Sequence, residues 1–472
     1  MELVSIIVLL VFCVLYQILV YNKVVIYYPE LGFTPDPGNM VKSLNLYKYG
    51  VIGLGDDPSH IVPDTMRPPL FPVVAAAVFW VFGPKMQWIL IINNIFFFAS
   101  VFLTFLLGRR IHPWGGIFAA LFIVADPIYL QCINAVETDA LFHLLITWLL
   151  LHVVWMLQSG ITSARVIVTA ILIALEELTR PIGMYVWVAV CAIILIHLWG
   201  RVKWTRVGKW IAIVLVIHFA TIGLWTARNV MVGGLPLFAG VGIYNFWNDH
   251  FPRVEAARLS IPLYEAEKKI HARFGPGLEK LHDRKEKESY MLDACLTMLK
   301  ETFPWSFYII ARGSMEMFLG YPIDFNAVFY NKESVKYIVT YLLQESYYAA
   351  SWNDRMKLLK YLSDGGFFMV ILFGVISKIF NAILLIFGVA GAIRMIFWDD
   401  RVKRDVGLFL IMFVGIMTLI ASTGAIARFR IPIMPAINVL AIYGILSWWE
   451  RKRSAGVAAP PIQVEFRAGS SP

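Results

Sequence analysis

Charge is scarce in this chain. Of its 472 residues only 15% are Asp, Glu, Lys or Arg, whereas soluble domains carry about 25%. With 59% hydrophobic residues and a mean hydropathy of +0.69, the deficit excludes an ordinary water-soluble domain and points to lipid as the main solvent. Cysteine is rare too. Cys13, Cys132, Cys191 and Cys295 have no spacing that suggests a disulfide framework or a metal site, and three of them fall in apolar runs as packing residues. No Gly-rich phosphate cradle occurs, which disfavours a soluble nucleotide sugar as substrate. His60, His143, His152, His218, His250, His271 and His282 lack metalloprotease spacing. The formal charge of +9 does not argue for nucleic acid as a partner, because the basic residues come in short clusters between apolar runs.

Long apolar runs are what the chain has in abundance. A helix crossing the hydrocarbon core needs about 20 apolar residues. Such runs occur near 3–27, 87–108, 113–132, 139–157, 181–199, 210–227, 379–397, 406–424 and 431–449. The stretch 163–179 is a weaker span because it contains Glu176 and Glu177, and 69–83 is short enough for an interfacial helix. The expected fold class is an all-α polytopic membrane protein of about ten transmembrane helices with a mainly helical extracytoplasmic loop region. The first run lacks a basic leader and a small-residue cleavage site, so it reads as a retained anchor rather than a signal peptide.

Basic residues in short loops mark the cytoplasmic side. With the N-terminus inside and strict alternation, Arg109/Arg110, Arg165, Arg201/Lys203/Arg206/Lys209, Arg394/Arg401/Lys403/Arg404 and Arg451/Lys452/Arg453 all fall inside. This requires that 69–83 does not cross and that 163–179 does. Residues 28–68, 133–138, 229–366 and 425–430 then face outside. The expected organisation is an N-terminal transmembrane module at 1–228 with a first exterior loop at 28–68, a large extracytoplasmic region at 229–366, a C-terminal transmembrane module at 367–453, and a disordered cytoplasmic tail at 454–472. Residues 38–49 suit a short amphipathic surface helix with Lys42 and Lys48 reaching headgroups. Gly275-Pro276-Gly277 is expected to split the charged stretch 253–301 into two helical pieces that present a solvated face.

The exterior side collects the residues able to do chemistry. Asp36, in Thr34-Pro35-Asp36-Pro37-Gly38, is either a turn residue or a carboxylate at the mouth of a cavity. In the second reading it takes the proton of an attacking hydroxyl. Arg67, before Pro68-Pro69, either snorkels to lipid phosphates or grips a departing phosphate bidentately. Glu137 and Asp139 either serve the dipole of the following helix or support a donor sugar, a basic residue or a metal. Arg180, Arg228, Arg428 and Arg430 are either interfacial anchors or ligands of an anion. So many exterior arginines in a charge-poor chain favour the anion for at least two of them. Asn248-Asp249-His250 in the large loop is either the lining of a site or a turn, the turn being the favoured reading.

In order, the strings are Asp36 after the first span, Arg67-Pro-Pro-Leu-Phe-Pro, Glu137-Thr-Asp139, Leu-Thr-Arg180-Pro, Trp225-Thr-Ala-Arg228-Asn and Arg428-Phe-Arg430-Ile-Pro. Together they resemble the glycosyltransferase C superfamily, in particular its dolichyl-phosphate-mannose protein mannosyltransferase-like and lipid A aminoarabinose transferase-like branch. The resemblance covers most of residues 1–450 except the large loop. It implies an inverting membrane glycosyltransferase that moves a sugar from a polyprenyl-phosphate donor to an extracytoplasmic hydroxyl of a glycan, lipid or protein. A transporter or flippase of lipid-linked saccharides is the alternative. By the same resemblance Asp36 is the catalytic acid of the first exterior loop, Glu137 or Asp139 is the second acidic position, and Arg67 contacts donor phosphate. Arg180, Arg228, Arg428 and Arg430 are the further donor-phosphate candidates. That family commonly has Asp-Glu at the first site, whereas here Pro37 follows Asp36. No cofactor is required on this reading, although a divalent metal is compatible with it. The expected location is a bacterial inner membrane, with the site facing the periplasm.

Overall fold

The computed structural model describes residues 11, 15, 37–55, 57–126, 128–129, 136–320, 368–424 and 427–457. Nearly all of the expected anchor at 3–27, residues 321–367 and the tail from 458 lie outside the described residues. The continuous chain opens with α1 (Pro37–Tyr49), the two-stranded antiparallel pair β1 (Gly53–Leu54) and β2 (Val62–Pro63), and α2 (Leu70–Phe82). The membrane body follows as α3 (Met86–Ile111), α4 (Gly115–Ala125), α5 (Asp139–Ser159), α6 (Ser163–Thr179), α7 (Val186–Leu198) and α8 (Trp204–Met231). After a polar helical region it resumes with α13 (Phe368–Trp398), α14 (Arg401–Ala421) and α15 (Met434–Val457). Among the described residues, seven segments are long and apolar enough to cross a membrane: 86–111, 139–159, 181–198, 204–231, 375–398, 401–421 and 428–452. Helices α2 and α4 are apolar but shorter.

Contacts between loops sort the helix ends into two groups. At one end Gln158 donates to the Arg110 carbonyl (3.0 Å), Trp210 to Ser163 (3.1 Å) and Arg401 to the Trp199 carbonyl (3.2 Å), while His112 meets Glu450 (3.1 Å). The basic loops thus gather on one face. At the other end Arg180 pairs with Asp139, and Arg428 with Glu137. Helix α6 joins the two ends, with Ser163 at one and Arg180 just past the other, and its 17 residues span about 26 Å. Glu176 and Glu177 are both buried within the bundle; Glu177 bonds His218 of α8 at 2.5 Å, whereas neither carboxylate oxygen of Glu176 has a hydrogen-bond partner among the described residues. An acid inside a membrane bundle is tolerated when it faces protein and meets a partner.

Helix α2 stays at the site end. Phe71, Ala75 and Phe79 pack on Ile89 and Leu90 at the start of α3 and on Val136, Leu141 and Leu145 around the start of α5. The main core joins α3–α8 to α13–α15. Where α13 crosses α15 the backbones touch: a Cβ on Gly391 would lie 2.0 Å from the Leu440 carbonyl oxygen, and one on Gly444 2.5 Å from that of Phe387. Close approach through small residues is how membrane helices gain packing without a hydrophobic driving force.

Two local expectations are corrected. Lys42 does not reach headgroups; it is buried and pairs with buried Asp64 at 3.0 Å, and only Lys48 remains exposed. A charge that finds a partner inside the protein has no need to snorkel. The polar region consists of α9 (Val241–Asn245), a π-helical turn (Phe246–His250), α10 (Phe251–Leu259), α11 (Leu263–Glu279) and α12 (Arg284–Leu319). Gly275-Pro276-Gly277 does not split it, because α11 runs straight through Pro276. The breaks fall at Ser260, which is left-handed, and at Lys280–Asp283. Bare Gly277 lets Tyr290 of α12 lie against α11 and donate to the Phe274 carbonyl at 3.1 Å, so a tertiary contact outweighs the local breaker.

Candidate active site

The segment that delivers Arg67 is held by four separate parts of the chain. Asn45 of α1 donates to the carbonyls of Gly53 and Gly55 at 3.0 and 2.9 Å. Arg228, at the end of α8, donates to the Asp64 carbonyl at 2.5 Å and the Ile52 carbonyl at 3.3 Å, and it stacks over Trp225 at 4.6 Å. Arg284, opening α12, donates to the Pro63 carbonyl at 2.5 Å and to the Thr65 hydroxyl at 2.6 Å while pairing with Glu288. The backbone N–H groups of Gly240 and Val241 donate to the carbonyls of Thr65 and Met66, both at 3.1 Å. Pro68 and Pro69 then fix φ and lead into α2. Arg67 therefore projects from an immobilised backbone.

Five of the expected site residues meet there. Asp139 is the first residue of α5 and almost fully buried, and Arg180, between α6 and the next turn, donates to its Oδ1. Arg428, in the 3-10 segment Ala427–Ile433, donates to Glu137 Oε1 at 3.2 Å. The Phe429 ring lies 5.6 Å from the Arg180 guanidinium and 5.7 Å from that of Arg428. Arg67 lies in the field of all four. Burial lowers its pKa first, Glu137 opposes that, Arg180 and Arg428 lower it further, and Asp139 acts with Glu137. Among the described residues three guanidinium groups thus gather around two carboxylates. Asp139 Oδ2 is buried and has no hydrogen-bond partner among the described residues.

The remaining expected residues are placed elsewhere. Arg228 grips the loop backbone. Arg430 is fully buried, forked onto Asp126 at 2.8 and 3.0 Å, and donates to the Gly320 carbonyl at 2.5 Å. Asp36 lies outside the described residues. Asp249 adds a group that the sequence reading takes for part of a turn. Burial raises its pKa, while Arg253 and Arg428 oppose the rise, so it shares the field of the cluster. Neighbouring His250 is buried, and that burial pushes it down to about 4. A π turn carries both, and such turns recur at functional sites. No hydropathy pattern announces one. Among the described residues no three His, Cys, Asp or Glu side chains converge as metal ligands.

The chain is a polytopic helical bundle with arginines and acids crowded at one end, and comparison with known proteins shows what it is similar to. Residues 66–225, which carry Arg67, Glu137, Asp139 and Arg180, match the model of the dolichyl-phosphate-mannose-protein mannosyltransferase family. No curated protein matches the chain in sequence. Among solved structures, the oligosaccharyltransferase of Archaeoglobus fulgidus in its apo form superposes with a TM-score of 0.50 at 13% identity, covering 97% of this chain and 52% of that one. Its complex with zinc and sulfate gives 0.49 at 12% identity, covering 94% and 50%. ArnT from Cupriavidus metallidurans bound to undecaprenyl phosphate gives 0.36 at 13% identity, covering 90% and 77%. The chain thus spans about half the length of the archaeal enzyme. The likeness to the apo archaeal enzyme is one of fold, and the family model covers residues 66–225 of the 472.

Proposed function

We propose that the protein is an inverting glycosyltransferase that uses a polyprenyl-monophosphate sugar and acts at the end of the bundle bearing the arginine cluster, the periplasmic face of a bacterial inner membrane. One observation carries this reading. Arg67, Arg180 and Arg428, from segments far apart in sequence, converge on Glu137 and Asp139. The name of the matching family, with its lipid-phosphate sugar, accords with it.

The chemistry follows from charge. An acceptor hydroxyl, which a glycan, lipid or protein can supply, attacks the anomeric carbon as Asp36 takes its proton. The new C–O bond forms as the bond to phosphate oxygen breaks on the opposite face, so the anomeric centre inverts. The departing electron pair stays on the phosphate, where preorganised guanidinium groups stabilise it. Glu137 and Asp139 hold Arg428 and Arg180 in place, and Arg67 completes the grip. Arg228 and Arg430 are positioning residues on this reading, because loop and helix-end carbonyls and Asp126 engage them.

The test is a mass spectrum of lipid extracted from the purified protein, coupled to transfer assays. Wild type should carry a polyprenyl phosphate species. Asp36→Asn should keep that lipid while losing about two to four orders of magnitude in transfer, the usual range for a general base. Arg67→Ala should lose the lipid and the activity together, and Arg67→Lys should recover only part, because a point charge does not reproduce a bidentate fork. Undiminished transfer by Asp36→Asn would remove the assigned base, and full lipid retention by Arg67→Ala would remove the phosphate role. A flippase would tolerate Asp36→Asn without loss of transport.

A further inference from the structure

A cavity lies at the opposite end of the bundle from the arginine–acid cluster. It occupies about 610 Å³ between the C-terminal halves of α3 and α5 and is lined by Leu106, Arg109, Arg110, Trp148, Leu151, His152, Trp155 and Gln158. The two helix ends are tied side by side, since Gln158 donates to the Arg110 carbonyl at 3.0 Å. Trp155 is fixed by Arg165, whose guanidinium sits 4.2 Å from the ring centroid. Trp148, near the middle of α5, is 46% exposed on the outer surface of the bundle.

Two features of this hollow select its occupant. Its mouth carries two exposed arginines, and no carboxylate is among its described lining residues, although it is built at helix C-termini, whose dipoles alone repel anions. Below the mouth the walls are Leu106, Leu151, Trp148 and Trp155, and they descend from Gln158 to Trp148, about 15 Å of helix. A free phosphate would find no use for that apolar depth, and a neutral lipid would find none for the arginines. We infer that this cavity binds an anionic phospholipid of the adjoining leaflet, with the phosphodiester at Arg109 and Arg110 and an acyl chain lying along Leu106, Leu151 and the two tryptophans. Basic hollows between membrane helices hold anionic headgroups for this reason. The site is independent of sugar transfer, so a failed transferase assignment leaves it standing.

The experiment is native mass spectrometry of the full chain titrated with phosphatidylglycerol, phosphatidylcholine or inorganic phosphate. Wild type should retain one phosphatidylglycerol in preference to phosphatidylcholine, and millimolar phosphate should not displace it. The double variant Arg109→Gln/Arg110→Gln should bind roughly thirtyfold more weakly, from about fivefold per basic residue near a charged surface. Arg451→Gln/Lys452→Gln, exposed at the same end, should bind as wild type does. Leu151→Trp, which fills the hollow and leaves every charge, should also weaken binding, and it decides the matter if the arginine variant fails to fold. Equal losses in the two charge variants, equal binding of phosphatidylcholine, displacement by phosphate, or unchanged binding by Leu151→Trp would each overturn the site.

Discussion

Glu137 and Asp139 are two residues apart, yet their surroundings differ. Asp139 is buried and holds an Arg180 side chain that is only 15% exposed, whereas the Arg428 side chain paired with Glu137 is 36% exposed. Asp139→Asn should therefore cost about 3–5 kcal/mol, the usual penalty for stripping one partner from a buried pair. Glu137→Gln should cost about 1 kcal/mol or less. Thermal unfolding in detergent measures both, and equal losses would contradict the difference in burial. His250 gives a pH signature. Its pKa falls to about 4 in the fold, while an unfolded histidine titrates near 6.5. The folded state binds the proton less readily, so this contribution is complete above about pH 6.5 and is lost as pH falls toward 4. Asp249 works in the opposite sense, since burial raises its pKa. His250→Gln should thus flatten the fall of the unfolding midpoint across that window, and an unchanged slope would show that His250 does not titrate there.

At the scale of elements, α11 tests tertiary contact against local propensity. A Cβ on Gly277 would come within 2.2 Å of the Tyr290 hydroxyl. Gly277→Val should lower the unfolding midpoint, while Pro276→Ala should hold or raise it, because an interior proline costs a helix about 3 kcal/mol. The reverse ranking would mean that the α11–α12 contact contributes little. Hydropathy made most of the long spans legible, since an apolar run of that length has few other uses. It also made Arg67, Glu137, Asp139, Arg180 and Arg428 legible, because charge beside such runs is conspicuous. It could not show that Arg430 forks onto Asp126, 304 residues earlier in the chain, or that Lys42 turns inward to Asp64. Partners so far apart, or on unrelated elements, leave no periodic mark. The π turn bearing Asp249 and His250 was illegible for a related reason: one extra residue in a turn changes no composition.

For the whole molecule, the sorting of helix ends makes a prediction about sidedness. Single cysteines replacing Lys203, Lys403 and Lys452 should share one accessibility to an impermeant reagent in sealed vesicles. Cysteines replacing Lys268 and Lys285 should show the opposite one. If Lys203 labelled together with Lys285, α8 would not cross, and Arg228 could not reach the loop that presents Arg67.

The ion pairs that close the bundle also bear on synthesis. Glu137 waits for Arg428, 291 residues downstream, and Asp126 for Arg430. Until the last tenth of the chain has emerged and inserted, Asp126 lacks the counterion of its buried pair, at a cost of several kcal/mol, and Glu137 lacks its more exposed partner. A product of premature termination near residue 420 would keep six of the seven long spans but could not neutralise these acids. Completion of the polypeptide and closure of the arginine cluster are thus one event.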